Sequence, residues 1–147
     1  MRPVLLTLLF PALLASARPR IPAPPVAVIR GEMTAEAAAW NRGDINGFMA
    51  AYWRSPTTQF IGSGGITEGW ETVREHYRRN YPNRGAMGHL TFSGLRITLL
   101  CRDVAYAVGH FRLDRARDHP EGVFTLLFRK FPAGWRIVSD HTTQTGQ

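Results

Sequence analysis

The sequence has 147 residues, enough for one domain with a single core and too few for two. Its formal charge of +7 is carried almost wholly by arginine; Arg74, Arg78, Arg79 and Arg84 interleave with Glu71 and Glu75, and Arg112 to Arg117 with Asp114 and Asp118, which argues against a continuous nucleic-acid platform. Cys101 is the only cysteine, so no intrachain disulfide can form, and no CxxC or HExxH spacing suggests a metal site.

Residues 1–17 open with Arg2, continue through an apolar run from Val4 to Leu14 and end in Ala15-Ser16-Ala17. Charge, short apolar core and small-residue cleavage site in this order predict an export signal cut after Ala17, too short for a stable membrane span, with a secreted or periplasmic product. Residues 18–30 contain Pro19, Pro22, Pro24 and Pro25 and are expected to form an extended tether. The globular domain is expected over residues 31–147.

The alanine-rich run from Glu32 to Arg42 reads as a helix ended by Gly43, because alanine is the residue least costly to hold helical. Asp44 is placed to cap a second helix whose apolar stripe is Ile45, Phe48, Met49 and Tyr52. Residues 57–61 form a short strand candidate, stopped by Gly62-Ser63-Gly64-Gly65. Thr67 then stands where an N-cap belongs, before a third helix with Trp70, Val73 and Tyr77 on its apolar face and Pro82 beyond its end.

Alternation from there to the C-terminus predicts four long strands. Leu95, Ile97 and Leu99 share one phase while Leu90 and Phe92 occupy the other, which requires a bulge near Ser93-Gly94. The second strand runs from Val104 to about Leu113, the third from Val123 to Lys130, and the fourth from Trp135 to about Thr143. Helices followed by an antiparallel meander make the fold class α+β.

This order of elements, with Trp40-Asn41-Arg42-Gly43-Asp44 closing the first helix, Gly69-Trp70-Glu71-Thr72-Val73 opening the third and Gly134 to Thr142 on the last strand, resembles the nuclear transport factor 2-like, or SnoaL-like, superfamily. Within it the chain is similar to exported bacterial members of unassigned activity and to the association domain of calcium/calmodulin-dependent kinase II. The resemblance implies a cone in which a strongly curved sheet wraps the helices around a cavity, and pairing of two copies through the sheet as a homodimer. No cofactor is expected.

Ketosteroid isomerase and polyketide cyclases on this fold carry acid and base groups on the inner sheet wall, which makes His110, Asp140 and His141 the candidate catalytic residues. Neighbouring strand residues face opposite ways, so Asp140 and His141 cannot both enter the cavity. If Trp135 and Ile137 define the inward phase, His141 joins them; the opposite phase groups Asp140 with Val138. His110 and Arg112 share a phase with Val104, Tyr106 and Val108, and line either a polar cavity floor or an outer sheet face. Tyr52, Trp53, Trp70, Tyr77 and Arg112 are the candidate ligand-binding residues.

Three functions fit these residues. The first is binding of a small, partly hydrophobic molecule in the cone; the second is proton transfer next to a carbonyl; the third is a homodimeric protein-interaction module.

Overall fold

The computed structural model describes residues 23–145, so the expected export signal lies outside the described residues. In chain order the elements are α1 (Pro25–Asn41), α2 (Ile45–Met49), β1 (Gln59–Gly62), β2 (Gly65–Glu68), α3 (Trp70–Asn80), α4 (Arg84–Met87), β3 (His89–Cys101), β4 (Val104–Asp114), β5 (Glu121–Phe131) and β6 (Gly134–Gln144). The strands form one curved sheet in the order β2-β1-β6-β5-β4-β3. Every neighbouring pair is antiparallel except β1 with β6, which run parallel. The fold is α+β, as the pattern of helices followed by strands predicts.

Helix α1 begins at Pro25, inside the stretch expected to be a tether to residue 30. Pro24 keeps a φ of −55° and ψ of 139°, just outside the helix, while Pro25 occupies the first turn, where a missing N–H costs nothing. The early start buries Ile29 completely and sets Ile29, Met33, Glu36 and Trp40 on one face at spacings of four, three and four. A carboxyl therefore sits in the middle of an apolar stripe.

Two local signals resolve differently from expectation. Thr67 lies in β2 rather than at a helix cap, because the glycine-rich turn after β1 returns the chain as a hairpin before α3 begins behind Gly69. Asp44 does cap α2, accepting a hydrogen bond from the Gly47 N–H at 2.8 Å. Helix α2 stops at Met49, and Tyr52 instead forms an isolated parallel bridge with Ile137 of β6.

Two bulges decide which side chains face inward. On β3, Ser93 stands opposite His110 and Arg96 opposite Val108, so one residue is extra; Gly94 absorbs it at a φ of +60°. On β6, Leu127 pairs with Ser139 and Phe128 with Ile137, leaving Val138 unpaired. Trp135 and Ile137 are buried, the phase reverses across Val138, and Asp140 is buried as well. The inner face of β4 is built from Ala105, Ala107 and Gly109, small residues opposite the larger Phe124, Leu126 and Phe128 of β5. Gly109 is required there, since a Cβ would stand 2.7 Å from the Phe124 ring.

Candidate functional site

Asn41, the last residue of α1, fixes that helix on the sheet: its side-chain amide donates to the Leu90 carbonyl at 2.9 Å and its carbonyl accepts from the Leu90 N–H at 2.7 Å. Next to it, the Trp40 indole N–H donates to the Met87 carbonyl at 3.1 Å. With the helix held in this way, Glu36 and Trp40 look across at the inner faces of β5 and β6. Between them lies a cavity of about 100 Å³ whose walls are otherwise mainly aromatic and aliphatic, including Phe48, Phe60, Tyr81, Phe92 and Phe124.

The polar groups of this cavity converge on Asp140. The Tyr52 hydroxyl donates to one carboxylate oxygen at 2.6 Å, and the Thr142 hydroxyl donates to the other, also at 2.6 Å. The Tyr77 hydroxyl stands 3.4 Å from that of Tyr52. Burial raises the Asp140 pKa above the ordinary carboxylate range, and the hydroxyls of Thr142, Tyr52 and Tyr77 pull it back by favouring the charged form. Both tyrosine hydroxyls are pushed well above their usual range, first by burial and then by the negative charge of Asp140. They remain neutral donors.

Glu36 is the second carboxyl of the cavity and is only 3% exposed. Its Oε2 has no hydrogen-bond partner among the described residues. Burial, the charge of Asp140 and then that of Glu32 drive its pKa well above the usual value. An unpaired oxygen in a closed apolar setting leaves one hydrogen-bonding capacity unused. The sequence reading passed over Glu36, yet its position three residues after Met33 and four before Trp40 is a legible signal: a carboxyl at a core position.

The inner cavity adjoins a larger outer depression of about 510 Å³, with which it shares the lining residues Phe60, Tyr81, Phe111, Leu113 and Thr142. The turn between β1 and β2, His76 and Asn80 of α3, and Arg115 border that depression.

The structure brings Tyr52, Tyr77 and Asp140 together and places the other expected site residues elsewhere. His110, Arg112 and His141 are exposed on the outer sheet face, because the inward phase of β4 belongs to Ala105, Ala107 and Gly109 and the Val138 bulge turns His141 outward. Arg112 pairs there with Asp114 at 2.8 Å and Glu121 at 3.0 Å. Trp53 is stacked on Phe131 at 4.7 Å, away from the cavity. Trp70 is buried with its N–H bound to the Met49 carbonyl at 3.0 Å, and the guanidinium groups of Arg54 and Arg74 cover its ring. The described residues contain no group of three or more metal-ligating side chains.

The same fold recurs in solved structures. An NTF-2 like protein of unknown function from Shewanella oneidensis MR-1 is 35% identical, with a TM-score of 0.78 over 82% of this chain and 99% of that one. A protein of unknown function of the DUF3225 family from Pectobacterium atrosepticum is 24% identical, with a TM-score of 0.66 over 82% and 90% of the two chains. A ketosteroid isomerase-like protein from Erwinia carotovora atroseptica is 19% identical, with a TM-score of 0.66 over 82% and 96%. No curated protein matches the chain. The AtzH-like family model matches residues 24–147, from the proline before α1 through the whole sheet. This chain, built on the nuclear transport factor 2-like fold, belongs to the AtzH-like family.

Proposed function

We propose that the protein binds a small, partly hydrophobic molecule in the aromatic cavity between α1 and β6. The observation that carries this reading is the convergence of Asp140, Tyr52, Tyr77 and Glu36 on a space with otherwise mainly apolar walls. Apolar walls supply affinity by burying ligand surface, and a few fixed polar groups supply orientation. Thr142 and Tyr52 hold the Asp140 carboxyl in one place, so its position is set before any ligand arrives.

One observation favours a second reading, proton transfer to or from the bound molecule. Two carboxyls share the cavity in unlike settings: Asp140 receives hydroxyl donors, while Glu36 has an unpartnered oxygen and a pKa driven well above its ordinary range. Burial raises both, but the hydroxyl donors restrain Asp140, so Glu36 is the carboxyl more readily kept protonated and Asp140 the one more readily charged.

The reading includes export, with the mature chain starting at Arg18; N-terminal sequencing of protein recovered outside the cytoplasm tests this part alone. For the cavity, the test is mass spectrometry of small molecules released from natively purified protein. A molecule retained by the wild type and lost from Asp140→Asn and Tyr52→Phe supports the site. Retention unchanged in both variants counts against it.

A further inference from the structure

Resting on the cavity-binding reading, the charge and surface of the cavity narrow the ligand to one class. Trp40, Phe48, Tyr52, Phe60, Tyr77 and Tyr81 contribute aromatic rings, and none of the lining side chains is basic. Asp140 is buried and its hydrogen-bond partners are neutral hydroxyls; the one cation that acts on it, His141, does so from the outer face, so no cation inside the cavity pairs with it. Glu36 lines the same space, and its buried Oε2 has no donor among the described residues. Buried negative charge is costly unless it is paired. Aromatic faces, for their part, attract cations through the negative face of the ring.

We infer that the cavity takes a small organic ammonium ion, its N–H groups directed at Glu36 and Asp140 and its alkyl portion packed against the aromatic rings. The volume of about 100 Å³ limits the alkyl part. It is about two-thirds of the roughly 150 Å³ cavity that admits benzene, and a butyl amine is already as bulky as benzene, so the alkyl part is limited to about two carbons.

The charged and titratable groups around the two carboxyls give the binding a definite pH response. Glu36 faces Asp140 across the cavity and Glu32 on its own helix, while Asp140 faces Tyr52 and Tyr77 and lies next to His141, whose charge acts on it from the outer face. An arriving ammonium favours the deprotonated form of Glu36. Its affinity therefore rises with pH, through the range in which Glu36 loses its proton, until the amine itself begins to titrate. A neutral ligand that accepts a hydrogen bond from protonated Glu36 responds in the opposite direction.

Four small analogues separate these cases: ethylammonium, ethanol, acetamide and acetate, each titrated calorimetrically into the protein from about pH 5 to about pH 8. The expected result is that ethylammonium binds at least about tenfold more tightly than the alcohol, more tightly at the upper end of the range, and that acetate binds least. Glu36→Gln is expected to flatten the pH response, and Asp140→Asn to remove the preference for the cation. Should one variant not fold, the other and the wild-type analogue series still decide. Tighter binding of the alcohol or amide, or affinity that falls with rising pH, overturns the ammonium inference and leaves the cavity reading standing. Absence of binding by all four overturns it as well, while the retained-molecule experiment judges the cavity independently.

Discussion

At the scale of single residues, the unusual feature is Glu36, a buried acid with an oxygen left unpartnered. Its pKa in the folded chain is raised above that of an unfolded chain, so the folded state holds more protons over that interval. Stability is therefore full below the ordinary glutamate range and is lost as pH rises toward the folded value; Asp140, also raised, acts with the same sign. One proton corresponds to a slope of about 1.4 kcal/mol per pH unit. Urea denaturation across pH is expected to show this decline in the wild type and a shallower one in Glu36→Gln. Equal slopes in the two proteins would sink the assignment of the proton to Glu36.

Secondary-structure elements explain how much of the site was legible in sequence. The apolar stripes of α2 and α3 were readable, and with them the inward positions of Phe48 and Tyr77. The bulge at Gly94 was readable too, because two hydrophobic phases collide there and a glycine stands at the collision. The bulge at Val138 was not: every residue around it is compatible with a regular strand, and only the pairing with Phe128 and Leu127 reveals the extra one. That single residue is why Asp140 shares a side with Ile137 and His141 does not. Asn41 also acts at this scale, since its two bonds to Leu90 join α1 to β3. Asn41→Ala leaves a backbone N–H and C=O without their partner in a half-buried place, with an expected loss of about 1–3 kcal/mol in chemical denaturation. An unchanged midpoint would mean that water replaces both bonds at no cost.

For the whole molecule, the extent of the domain matters more than its composition suggests. Pro24 and Pro25 read as tether because four prolines fall close together, yet a proline at the first helical turn is as compatible with a helix as with an extended chain. Sequence spacing alone does not separate the two; what does is the burial of Ile29 against the core. Ile29→Ala is expected to cost about 2–5 kcal/mol, the usual range for emptying a filled core position. A chain begun at Gly31 is expected to melt well below one begun at Pro24. Matching melting temperatures for those two chains would return residues 24–30 to the status of a tether.

The placement of Trp40 has an optical consequence. Of the four tryptophans, Trp40 alone is part of the cavity wall; Trp53 lies on Phe131, Trp70 beneath two arginines, and Trp135 in the core. Tyr77 and Tyr81 are within 6.1 and 4.7 Å of the Trp40 ring, close enough to pass excitation to it. Occupancy of the cavity thus carries its own fluorescent readout, with emission that changes on filling in the wild type and stays constant in Trp40→Phe.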